Sequence, residues 1–206
     1  MRATEGAGMT NIDAKAELHD YLRGARETLV WKLDGLSEYD IRRPLTPTGT
    51  NLLGLVKHST ATHLGYFGEV FGRASDTSPG RFAGDGGPAS EFWATAAESR
   101  QDIITSYRAA WDSSDATISA LPLDAVGSVW WWGDAPVTLH RALVHVIADT
   151  QRHAGHADIV RELIDGSVGM LKGADNLHIR DPAERRRFRD RVEAAAAEFR
   201  ENGSGR

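Results

Sequence analysis

The chain has 206 residues, 41% of them hydrophobic, and its 24 basic and 29 acidic side chains leave a formal charge of −5. The length suits one domain with a sizeable core plus tails, scattered basic residues leave no nucleic-acid footprint, and no run of about 20 apolar residues offers a membrane span. Absence of cysteine excludes disulfides, a cysteine nucleophile and thiolate metal ligands from the protein itself, and a cytoplasmic location fits it.

The first residues, MRATEGAGMTN, lack the apolar centre of a signal peptide, and residues 1–10 read as a disordered tail. Thr10 and Asn11 suit the cap of a helix that begins near Ile12, and Leu18, Leu22, Ala25, Leu29 and Leu33 recur at helical spacing as far as Leu36. Pro44, Pro47 and Gly49 make Ser37–Thr50 a linker. Its Arg42 and Arg43 are either solvated loop charges or an anion contact. A second helix is expected from about Asn51 to Phe71, capped by Thr50, with His63 near the centre of its apolar face and His58 toward one edge. The stretch from Gly72 to Pro88 is a loop, and its GDGG at 84–87 follows no strand, so a phosphate-loop reading is poor.

A third helix is expected over about Ser90–Leu121, with Phe92, Ile103, Ile104, Tyr107, Trp111 and Ile118 inward and a break near Ser113-Ser114. Trp130, Trp131 and Trp132 follow in a loop. Three consecutive tryptophans cannot all face one core, so either they cover the end of a helical bundle or one of them, with Trp131 as the candidate, lines a pocket or interface. No alternating strand pattern of useful length is visible.

The fourth helix, Thr138 to Gly166, organises the chain. Leu139, Ala142, Leu143, Val146, Ala157, Val160, Leu163 and Ile164 collect on one arc, and Asp149 and His153 point into it. His145 and His156 sit near the edge. A carboxylate on a core-facing stripe is costly unless something positive meets it. Side chains four residues apart on a helix are neighbours, so Asp149 and His153 are candidates for two ligands of one divalent metal. The competing reading is a core histidine held by a hydrogen-bonded carboxylate, and the pair is less specific than H-E-x-x-H. Pro182 fits the first turn of a last helix with Val192, Ala195, Ala196 and Phe199 on one side. The arginines at 185–187, 189 and 191 read as a solvated face, and the final ENGSGR as a frayed end.

The segments NLLGLVKHSTATHLGYFGEVFGR (51–73) and HVIADTQRHAGHADIVRELIDG (145–166), extended by RRPLTPTGTNLLGLVKH (42–58) and PVTLHRALVHVI (136–147), resemble the DinB-like (DinB/YfiT) superfamily of metalloenzymes. They look closest to its actinobacterial branch related to mycothiol-dependent maleylpyruvate isomerase. The resemblance implies an all-α fold: a four-helix bundle over residues 11–170, with 171–206 as an extension carrying one short helix. It implies one divalent ion, zinc or nickel, on three side chains, which fall here on His58, Asp149 and His153. Relatives usually carry His or Glu at the first of the paired positions, so Asp149 is a departure, one methylene shorter than Glu. His63 stands where relatives often carry Glu. His156 aligns beside the site, with His145 and Arg152 as further supporting candidates, and Arg42, Arg43 and Trp131 as candidates for binding the thiol or substrate.

Three protein ligands with a position left open are the pattern of a catalytic zinc site. The leading expectation is a thiol-dependent S-transferase or isomerase-like enzyme, with mycothiol or another low-molecular-weight thiol as cosubstrate. A metal-dependent hydrolase acting on a small molecule, or a non-enzymatic metal or small-ligand binding protein that pairs as a homodimer, are the alternatives.

Overall fold

The structure is a computed structural model that describes residues 13–73, 89–175 and 177–200. The expected caps Thr10 and Asn11 lie outside these residues. The first helix, α1 (Ala14–Trp31), is capped by Asp13, whose side chain accepts from the backbone N–H groups of Lys15 and Ala16. It stops short of the expected Leu36. The chain turns after Trp31, Gly35 adopts a φ of 73°, and Leu33 is buried from this turn. The expected linker contains a short helix, α2 (Glu38–Arg42), capped by Ser37. Arg43, which precedes Pro44, is extended, as a residue before proline must be.

Asn51, and not Thr50, caps α3 (Leu52–His63) by accepting from Gly54 N–H. The helical path continues through a π turn, Leu64–Gly68, and a 3₁₀ turn, Glu69–Phe71. The expected third helix is two pieces. Ser90–Phe92 form a 3₁₀ turn, and α4 runs over Arg100–Ala120 from the cap Ser99. No break occurs at Ser113-Ser114, because the buried Ser114 hydroxyl donates to the Ala110 carbonyl one turn back.

The tryptophan-containing loop corrects the all-α expectation. β1 (Val126–Val129) and β2 (Ala135–Thr138) pair antiparallel with Val126 opposite Thr138 and Val129 opposite Ala135. The strands are four residues long, and only Val129 and Val137 point fully inward, too little for a period-two signal. Thr138 then caps α5 (Leu139–Asp165), and Gly166 ends it with a φ of 76°. Leu163 departs from its expected inward position and is 67% exposed.

The described chain is mostly helical and falls into two units, up to Ser167 and from Val168. In the first, α1 packs along α5 and α3 along α4, with α3 also meeting α5. Two apolar clusters fill it. One gathers Leu29, Leu53, Val56, Ile103, Ala157 and Val160. The other gathers Leu22, Phe67, Ile118, Val137, Leu143 and Val146. On each long helix polar residues lie between these clusters: Arg26, His58 to Thr60 with Thr62 and His63, Ser114 and Asp115, and Asp149 to His153. The second unit holds α6 (Pro182–Ala197), capped by Asp181 and without a buried residue. Among the described residues no helix is long and apolar enough to cross a membrane.

Candidate metal centre

The polar belt contains two separate clusters, and α3 contributes a histidine to each. It can do so because α3 is buried on nearly every side, from Leu52 to His63. Periodicity favours His63 as the inward residue, but both histidines are inward, with His63 0% and His58 8% exposed. A helix wrapped by neighbours has no single buried face.

His63 faces α1 and α4. Its Nε2 accepts from Arg26 Nε at 2.9 Å, and its Nδ1 donates to the Ser59 carbonyl at 2.7 Å. With both nitrogens used and the ring fully buried, the charged form is disfavoured. Burial, seconded by the Arg26 charge, pushes its pKa down to about 3. Arg26 Nη1 in turn donates to Asp115 at 2.6 Å, and Asp115 also meets His19 Nε2 at 2.7 Å. Burial raises the Asp115 carboxyl, but these partners outweigh it and hold its pKa low. Both nitrogens of His63 are engaged within this cluster, which leaves the ring no lone pair for a cation.

His58 faces α5. Its Nε2 lies 3.8 Å from Asp149 Oδ2, and His153 Nε2 lies 3.5 Å from Asp149 Oδ1. These separations are too long for hydrogen bonds. The His58 and His153 rings meet edge-on at 4.7 Å. One donor atom from each of His58, Asp149 and His153 lies within 4.8 Å of the others. Burial pushes the Asp149 carboxyl up, yet the imidazoles of His153, His58 and His145 outweigh it and hold its pKa below the usual value. Asp149 Oδ2 and His153 Nδ1 are both buried without a hydrogen-bond partner. Two imidazoles, one carboxylate and orphaned polar atoms fit a borderline divalent cation such as zinc or nickel. The one-methylene shortening at Asp149 does not keep its carboxylate from the two imidazoles.

The other candidate residues are placed as follows. His145 lies one turn before Asp149, with its ring 4.7 Å from Tyr66 and 5.0 Å from Trp132. Trp131 packs edge-on against Tyr66 at 5.2 Å, and its indole N–H points to the Tyr66 hydroxyl at 3.4 Å. The tryptophan turn therefore meets the start of α5 in an aromatic wall, while Trp130 is half exposed. His156 touches His153 edge-on at 5.5 Å, and burial, then the positive neighbours His153 and Arg152, lower its pKa. His156 and Arg152 are exposed. Arg42 is engaged by Glu38 and by the carbonyls of Thr95 and Glu98, and Arg43 by Asp40. Both arginines thus brace the fold locally, and these bonds do not bring them to the metal cluster.

Sequence reasoning missed Glu91. Its Oε1 sits 3.3 Å from His58 Nδ1, and the neighbouring Phe92 ring stacks on His58 at 4.2 Å. Glu91 lies 33 residues from His58 with a loop between, so no helical spacing links them. An acidic residue beside two aromatic ones, Phe92 and Trp93, was the signal available.

A search of curated proteins returns no match. Among solved structures the chain resembles that of a conserved protein from Enterococcus faecalis, with a TM-score of 0.54 at 17% identity over 75% of this chain and 99% of that one. Residues 17–166 match the family described as Mycothiol-S-transferase. That match spans both helices of the His58, Asp149 and His153 cluster, and the chain belongs to the mycothiol-S-transferase family, within the DinB-like superfamily.

Proposed function

We propose that this protein is a divalent-metal-dependent mycothiol S-transferase in which His58, Asp149 and His153 hold the ion. The observation that carries the reading is the convergence of these three donors from α3 and α5 in a chain of this family. We also read α1, α3, α4 and α5 as the four-helix bundle of the DinB/YfiT-like type, with 11–170 as the metal-binding domain and 171–206 as an extension. The fold likeness to the Enterococcus faecalis protein supports this reading.

A bound divalent ion supplies a Lewis acid that favours the thiolate form of a coordinating thiol. The remaining chemistry belongs to the chain and its substrates. There is no cysteine, so the sulfur nucleophile comes from the cosubstrate. The imidazoles of His58 and His153 and the carboxylate of Asp149 hold the ion between two apolar clusters, which keeps its protein ligands rigid. The partly buried Trp131 and Trp132, packed on the core residue Tyr66, offer flat apolar surface for the electrophile.

The test is conjugation of mycothiol with monochlorobimane by protein loaded with zinc or nickel. The expected result is acceleration over the uncatalysed reaction that His153→Ala abolishes. Background rates with mycothiol and with other small thiols would refute the transferase reading. Ester or amide hydrolysis without thiol consumption would indicate a hydrolase instead.

A further inference from the structure

We propose that Glu91 is the positioning residue of the metal centre: it takes the Nδ1–H of His58 and so leaves Nε2, the nitrogen facing Asp149, as the donor. This rests on the metal-binding reading above. A neutral imidazole carries one N–H and one lone pair, and the hydrogen bond at one nitrogen decides which is which. Glu91 Oε1 lies 3.3 Å from His58 Nδ1, and an ionised carboxylate only accepts, so Nδ1 is the donor. Nε2 then carries the lone pair.

The segment bearing Glu91 is fastened to α3. Asn51 Nδ2 donates to the Phe92 carbonyl at 3.1 Å, and Lys57 Nζ donates to the Trp93 carbonyl at 3.1 Å. Gly54 lets the backbones meet, since a Cβ there would stand 1.8 Å from the Phe92 carbonyl oxygen. The Phe92 ring lies over the His58 ring at an interplanar angle of 18°. His58 is therefore fixed in orientation by a stacked ring and in tautomer by a carboxylate.

Charge supports the assignment. Among the described residues, the ion pairs of Asp149 and Glu91 are with imidazoles alone. Glu91 Oε2 is also buried without a hydrogen bond. Buried carboxylate oxygens without a donor are costly, and a divalent cation balances two carboxylate charges. Glu91 does not belong to the mutually close donor set, so its role runs through His58, as a carboxylate behind a metal-bound histidine does.

The experiment uses the full chain with Glu91→Ala and Glu91→Gln. Nitrogen-15 spectra of the His58 ring in chelator report the tautomer, and competition titration reports zinc affinity. Wild type should show the Nδ1–H tautomer. Glu91→Ala should lose that tautomer and weaken zinc binding roughly 10- to 100-fold. Glu91→Gln keeps an accepting oxygen, so it should retain the tautomer and lose less affinity than alanine. A Glu91→Ala protein with wild-type tautomer and wild-type affinity overturns the proposal and leaves the metal centre standing. Loss of binding as complete as in His58→Ala, in both variants, would make Glu91 a ligand and overturn the positioning role. A wild-type protein that binds neither zinc nor nickel overturns the centre itself, and Glu91's role with it.

Discussion

Replacing His63 by glutamine should remove a pH-dependent part of the stability without touching the proposed metal ligands His58, Asp149 and His153. The buried His63 ring has a pKa near 3, against about 6.5 for an exposed imidazole. Its surroundings favour the neutral form: burial and Arg26 disfavour the proton, and these outweigh the Ser59 carbonyl and the carboxylates of Asp149 and Asp115. Below pH 6.5 the unfolded chain binds a proton at this position that the folded chain refuses. Stability is therefore fully present above pH 6.5 and is lost as the pH falls from there toward 3. Integrating proton uptake by an unfolded imidazole of pKa about 6.5 from pH 7 to pH 5 gives about 2 kcal/mol. Glutamine can accept from Arg26 and donate toward Ser59 but does not titrate. Urea unfolding of both proteins at pH 7 and pH 5, with chelator present, isolates the term. At pH 7 the variant should be less stable by about 1–3 kcal/mol for lost packing. At pH 5 the wild-type advantage should shrink by about 2 kcal/mol or reverse. A gap that stays the same at the two pH values would refute a buried neutral His63.

Asp149→Ala should lose the stabilisation that excess zinc gives the wild type, which follows the ratio of free ion to Kd, while Asp149→Glu keeps it; melting curves with chelator and with zinc check both, and an equal drop for alanine in the two conditions would remove Asp149 from the ligand set. Gly54→Ala should push the Phe92 backbone away, costing about 1–3 kcal/mol of stability, and should weaken zinc binding although residue 54 supplies no ligand; thermal unfolding and zinc titration measure the two effects. Arg161→Ala should destabilise by about 2–3 kcal/mol in chemical denaturation, because this buried guanidinium holds the carbonyls of Lys32 and Asp34, at 3.0 and 2.8 Å, where the chain leaves α1. That loss should be the same with and without zinc.

Local chemistry was sufficient for several elements, because a cap and an apolar period act over one or two turns. Thr138 and Gly166 delimit α5 as the sequence indicates, and Pro182 opens α6. Asp149 and His153 are adjacent by helix geometry alone. What failed depended on partners distant in sequence. The four-residue strands exist by pairing with each other, with Gly127 packed against the Val70 carbonyl, and neither carries a pattern of its own. The choice between His58 and His63 was open to the family resemblance but not to periodicity, since α3 is enclosed and both rings are inside. The tertiary structure separates them: Arg26 and the Ser59 carbonyl occupy both nitrogens of His63, while His58 turns toward Asp149. Glu91 reaches His58 only because Asn51, Gly54 and Lys57 seat its segment on α3. A contact across 33 residues and an intervening loop has no fixed spacing to read, so the sequence by itself determined that Asp149 and His153 are neighbours on α5, and packing decided what stands around them.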